Sequence, residues 1–281
     1  MTLPTLVGTG LFLGIGMPLA RWLSGHGVEP LAFALWPTAT AGLFLGLLAW
    51  SGQSGFLRWE LVRFGAIAGF TGYALPMTMA FWLAGREGAG YAAMAFTMPP
   101  LFTLAVNLLL QRERWRWSRV TAIGIGLAGA VLLVAHSPSA NQGDVWALIA
   151  VFVIPVLIGG TNVYRAIYLP QGATPSALGA LTLLAASIVL AVVAVGSGAA
   201  DVPLSVPVLL GLAGQAMALV AGYLLYFKLQ KTADPVVFSF MGYIMMLTGV
   251  AAGLLLLGEQ ARWTMLPALA LIMLALRMVA R

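Results

Sequence analysis

The sequence predicts an all-α membrane protein of ten transmembrane helices, arranged as two inverted five-helix repeats around a central cavity. Three observations carry that prediction. Of the 281 residues, 61% are hydrophobic and only 8% charged, where a soluble globule carries roughly a quarter of its residues charged. Charge-free windows recur at the length, about 20 apolar residues, that a bilayer core asks of a helix. One helix ending also occurs twice. The runs Leu108–Trp117 and Leu254–Trp263 place Glu113 and Glu259, Arg116 and Arg262, and Trp117 and Trp263 in register at a spacing of 146 residues.

The first span, about 3–23, carries Gly10-Leu-Phe-Leu-Gly14, a face of small residues that allows close backbone approach. Pro18 is expected to kink its outer third. The absence of a charged leader and of a small-residue cleavage site reads as a retained span, not a signal peptide. The second span, about 30–50, repeats the device in Gly42-Leu-Phe-Leu-Gly46. The third, about 61–84, holds Gly65 and Gly69, then Tyr73, then Pro76 near mid-membrane. A missing N–H at that depth is tolerated only against protein or a wet cavity. The fourth, about 89–111, holds Pro99 and Pro100 at similar depth, and Pro100 should free carbonyls near Phe96. The fifth covers about 118–136.

The polar stretch Ser137–Asp144 then divides the chain into a first repeat, 1–137, and a second, 144–281. The sixth span, about 145–167, ends in Gly159-Gly160-Thr161-Asn162-Val163-Tyr164-Arg165, so that Gly160 falls in register with Gly14. Spans at about 176–197, 206–229, 235–257 and 263–280 repeat the second to the fifth. Five spans per repeat is an odd number, which turns the second copy upside down. Inverted repeats place a solute site near the midplane, where the two copies meet.

Charge placement sets orientation. With the N-terminus cytoplasmic, eleven of the fourteen basic residues lie on inner loops and ends, leaving Arg21, Arg86 and Arg262 outside, as the positive-inside rule asks. Both termini are therefore expected on the cytoplasmic side, the chain crossing the membrane many times. The spread of basic residues over loops argues against nucleic acid as a partner. The continuous apolar runs also exclude barrel strands, which alternate over about 10 residues.

At this point the chain resembles the drug/metabolite transporter superfamily, in the form with two EamA-like domains. The likeness rests on two five-helix repeats, a glycine-bearing first helix in each, and an apolar fourth helix ending Leu256-Leu257-Gly258-Glu259, with Leu109-Leu110-Gln111-Arg112-Glu113 as the first copy. It implies alternating access around a cavity lined by spans one, three, four, six, eight and nine, and export of amino acids and other metabolites.

Site expectations follow from what stands at depth. No Asp, Glu or Lys falls in the middle of any span, which argues against a single intramembrane carboxylate as proton relay. Neutral groups remain. Tyr73, Asn162, Tyr164, Gln215, Tyr223 and Tyr243 are the expected substrate contacts, and Pro76, Pro99 and Pro100 the helix breaks. Glu113, Glu259 and Arg165 read as interfacial gating or topology residues. A nucleophile–base pair or metal ligands at depth are missing, so an enzyme is not expected, nor any cofactor. The function expected is secondary transport, outward, of small neutral or zwitterionic metabolites such as amino acids. Nucleosides, organic cations or drugs remain open as substrates, and a non-transporting scaffold as the reading from another class. Partners are the solute and the lipid bilayer; coupling is proton-driven or facilitative, and the assembly a monomer or homodimer.

Overall fold

Proline positions decide where the helices of this protein are interrupted. In a computed structural model, which describes residues 2–52, 57–112, 116–135, 145–232, 238, 241–259, 263 and 265–279, the apolar windows are helical and no strand occurs among the described residues. In chain order these are α1 (Thr2–Gly14), α2 (Gly16–Ser24), α3 (Pro30–Gly52), α4 (Trp59–Gly69), α5 (Leu75–Glu87), α6 (Ala89–Met94), α7 (Pro99–Leu109), α8 (Trp117–Ala135), α9 (Val145–Tyr168), α10 (Pro175–Ser197), α11 (Val206–Thr232), α12 (Met241–Leu256) and α13 (Met265–Val279). Seven helical runs are long and apolar enough to cross a membrane, and α12, at 16 residues, is a shorter apolar helix. We call the end where α1 starts and α9 finishes the near face, and the end where α2 and α5 finish the far face.

The first span is broken at Ile15, between α1 and α2, one turn earlier than the expected kink in the outer third. Pro18 lacks the N–H that the Gly14 carbonyl would accept, so the ladder fails one turn before the ring itself. At Pro76 the outcome is a wide turn instead of a kink. Residues Phe70–Ala74 form a π-helical turn in which the Leu75 N–H reaches back to the Phe70 carbonyl. The fourth span is cut outright: α6 passes through a 3-10 turn at Ala95–Thr97, and α7 restarts on Pro99 and Pro100. Proline is welcome there because the first N–H groups of a helix have no internal partner.

The helices pack as a bundle in which α3 and α4 lie on α10, α1 lies on α11 and α12, α5 and α7 lie on α9, α6 lies on α12, and α8 lies on α13. Glycine sets the closest crossings. A Cβ at Gly14 would stand 2.9 Å from the Met245 backbone, and one at Gly65 2.6 Å from the Leu181 side chain. In α9 the close approach is at Gly159, where a Cβ would lie 2.9 Å from the Thr103 amide nitrogen, while Gly160 has nothing within 4 Å. The expected Gly14–Gly160 match is thus displaced by one residue.

Candidate solute site

Three spans and one guanidinium build the site. Arg165 lies three residues before the end of α9, where an arginine in a membrane helix ordinarily snorkels its charge to the interface. It does the opposite: its residue is 3% exposed and it is the one charged side chain among the buried described residues. The direction of the helix explains this. Helical side chains lean toward the helix N-terminus, and α9 starts at the far face, so Arg165 leans into the bundle.

Its Nη1 donates to the Tyr226 hydroxyl at 2.5 Å and its Nη2 to the Ala68 carbonyl at 3.4 Å. The guanidinium carbon lies 5.2 Å from the Tyr226 ring centre and 5.9 Å from that of Phe227, distances that suit cation–π attraction. The Tyr223 hydroxyl also faces this cation. Room for the side chain comes from Gly72, where a Cβ would stand 2.8 Å from Nη2 and 2.7 Å from the Thr161 methyl. Gly72 sits inside the π turn, a device that recurs at functional sites.

From Arg165 the polar contacts continue through the core. Thr161, one turn earlier on α9, donates to the Thr71 hydroxyl at 2.7 Å, and Thr71 donates to the Ile67 carbonyl at 2.8 Å. Tyr73, the central residue of the helical run Trp59–Glu87, accepts from Thr38 at 2.9 Å and meets the Tyr223 ring edge-on at 6.0 Å. Toward the near face, Tyr164 stacks on Phe64 at 5.7 Å and contacts Tyr168 at 5.2 Å, while Phe64 reaches Phe227 at 6.5 Å. Exposed Tyr168 and buried Tyr73 are thereby joined by one run of rings.

Of the residues singled out in the sequence, Tyr73, Tyr164 and Tyr223 meet in this cluster, together with Arg165. Gln215 is buried elsewhere, its amide beside Gly16, and its Oε1 has no hydrogen-bond partner among the described residues. Tyr243 is buried on α12. Asn162 is half-buried and lies outside the network. Hollows of about 460 and 500 Å³ open at Arg21–His26 with Leu257 and, laterally, between Leu31, Trp82 and Ala150. Neither is lined by the cluster.

At the far face Glu259 is half-buried, and its carboxylate accepts from the amides of Ala89 at 2.7 Å and Gly90 at 3.2 Å. It therefore ties the end of α12 to the start of α6, where the exposed N–H groups favour negative charge. Glu113 lies outside the described residues.

The comparisons with known proteins agree with this architecture. A family model described as EamA-like transporter family matches residues 2–135. Over these residues the chain is similar to EamA-like transporters. The resemblance drawn from the sequence is supported by that match over the first repeat, and the seven long apolar helical runs among the described residues fit a multi-pass membrane protein. A solved crystal structure, described only as that of a protein, aligns over 98% of this chain and 95% of its own, with a TM-score of 0.64 and 20% sequence identity. At that identity the likeness is one of fold. No curated protein matches the chain.

Within this fold, sequence reasoning missed Arg165 as a buried group, left Tyr226 out of the expected contacts although it is an aromatic candidate, and missed Thr38, Thr71 and Thr161. The signal for Arg165 was present in the helix direction. Tyr226 follows from Tyr223 by three residues, a spacing that puts both on one helix face. The threonines carry no such signal, because a hydroxyl in a membrane helix often bonds its own backbone.

Proposed function

We propose that the protein is a secondary active transporter that exports small neutral or zwitterionic metabolites, such as amino acids, by alternating access. The observation that carries this is the buried Tyr73–Tyr223–Tyr226–Arg165 cluster, polar chemistry held at depth where the π turn Phe70–Ala74, α9 and α11 meet. Lipid-facing packing has no use for it, since polar groups inside a membrane are costly unless they serve a pathway or site. Tyr73, Tyr164 and Tyr223 are the substrate contacts of this reading, with Asn162, Gln215 and Tyr243 as contacts made in other stages of the cycle. A buried cation disfavours organic cations as cargo.

The helix contacts support two inverted halves, residues 1–137 and 144–281. Packing of α1 on α11 is mirrored by α9 on α5, and α1 on α12 by α9 on α7. Rocking one half against the other would open the cluster to each face in turn. Glu259 then acts as the far-face closure, with Glu113 its counterpart. In this reading the protein sits in a bacterial inner membrane with both termini cytoplasmic, is proton-coupled or facilitative, and works as a monomer or homodimer.

Counterflow in proteoliposomes tests the proposal. Liposomes loaded with one unlabelled amino acid should accumulate its labelled form, and Tyr223→Ala should reduce the rate at least about tenfold. No exchange of any amino acid would refute the amino-acid reading.

A further inference from the structure

We propose that Arg165 is the anchor for a carboxylate on the transported solute, so that a free carboxylate is what this protein requires of its cargo. The inference rests on the transport reading above and narrows its substrate class. A guanidinium has five N–H donors, and among the described residues those of Arg165 meet the Tyr226 hydroxyl, the Ala68 carbonyl at the long distance of 3.4 Å, and the facing Tyr223 hydroxyl. Nε has no partner although it is buried. No carboxylate pairs with Arg165 among the described residues.

This is an unusual state for a buried charge. Removing a cation from water costs several kcal/mol unless an anion and further hydrogen bonds compensate, and intramembrane arginines are ordinarily paired. Two phenol rings and one carbonyl supply partial compensation only. The missing component is an anion of one unit charge, presented to the edge formed by Nε and an Nη, the edge that binds carboxylates through two parallel hydrogen bonds. The Tyr223 hydroxyl, which faces the same cation, could donate to such an anion. The surrounding rings of Tyr73, Tyr226 and Phe227 fit an apolar body behind the carboxylate.

A phosphate monoester fits less well. It carries nearly two charges, and among the buried described residues Arg165 is the sole charged side chain. A monoanion leaves the site neutral when loaded, which is the condition for carrying it through a low-dielectric interior at least cost.

The test uses full-length protein in nonionic detergent and matched probes: leucine, phenylalanine, 4-methylpentanoate and benzoate, each beside its methyl ester, with inorganic phosphate as a further arm. Thermal shift reads binding, because a ligand that binds only the folded state raises its melting temperature. The expected result is stabilisation by one or more free acids, none by the corresponding esters, and loss of binding by at least about thirtyfold in Arg165→Gln, the scale for deleting one partner of a buried pair. Arg165→Lys keeps the charge without the fork; it should retain preference for acid over ester at lower affinity, and it serves if Arg165→Gln does not fold. The inference is overturned if ester and acid stabilise equally, if Arg165→Gln keeps the acid preference, if phosphate alone binds, or if no free acid binds. Counterflow separates the two proposals. Acids that bind without crossing leave the anchor standing and sink transport; exchange of a solute lacking a carboxylate, undisturbed in Arg165→Gln, does the reverse.

Discussion

The carboxylate of Glu259 fills the space in which Gly88 would carry a side chain. A Cβ on Gly88 would stand 2.9 Å from Oε1, and Gly88 adopts φ +105°, a conformation that L side chains rarely enter. The turn between α5 and α6 is therefore shaped to receive a residue 171 positions further along the chain. Gly88→Ala meets both obstacles, backbone strain of about 1–3 kcal/mol and a collision with the carboxylate. The expected outcome is a lower melting temperature for the purified protein, with a larger fall than for alanine placed at an ordinary loop glycine such as Gly25.

Glu259→Ala removes the anion from the amides of Ala89 and Gly90. Hydrogen bonds to a charged group are worth about 1.5–3 kcal/mol, reduced here by the half-exposed position of the residue. The natural chain has no cysteine, so a single introduced thiol reports on the closure directly. Ser24→Cys, beside the far-face hollow, should react faster with a membrane-impermeant thiol reagent in the Glu259→Ala background than in the native one. Equal rates would show that this contact does not hold the far face shut.

Tyr73 and Thr38 form a buried pair of hydroxyls at 2.9 Å. Tyr73→Phe leaves the Thr38 hydroxyl without that acceptor, at a cost of about 1–3 kcal/mol. Adding Thr38→Val removes the orphan, and the double variant should recover most of the loss. A double-mutant cycle by thermal unfolding measures the coupling; additive losses would mean that Thr38 finds another partner.

The same substitution at two glycines should give opposite results. At Gly65 a Cβ would press on Leu181 at 2.6 Å, whereas at Gly160 nothing lies within 4 Å. Gly65→Ala is expected to cost about 1–3 kcal/mol through overpacking of α4 on α10. Gly160→Ala should be neutral or stabilising by up to about 1 kcal/mol, the gain of helix propensity. Melting temperatures of the two variants in one detergent decide it.

Of the ten spans expected, the seven long apolar runs among the described residues were legible in the sequence because apolar length is a local property, and the bilayer fixes what that length must be. Breaks were legible as proline positions but not as shapes. Pro18, Pro76 and Pro100 remove the same donor, yet the chain answers with an interruption at Ile15, a π turn at Phe70–Ala74 and a restart at Pro99, according to what packs beside each. Tyr73, Tyr164 and Tyr223 were found because a phenol at depth needs an explanation. Arg165 was misplaced because its depth was read from its distance to the helix end. The lean of its side chain, which the helix direction already implied, and the neighbouring α4 and α11, which are tertiary facts, set the true depth. The one-residue offset between Gly159 and Gly160 is likewise invisible to a register that counts residues without crossing helices.

The π turn at Phe70–Ala74 has a consequence for how this chain tolerates insertions and deletions. A π turn holds one residue more than the α-helix around it would use, so α4 and α5 are rotated against each other by about one residue's worth of helical twist, roughly 100°. That rotation lets Gly65 and Gly69 look toward α10 while Gly72 looks toward Arg165 on α9. Removing one residue between 70 and 74 would yield a better helix and a worse bundle. The length of this segment, counted in single residues, is thus as much a determinant of the site as the identity of any side chain in it.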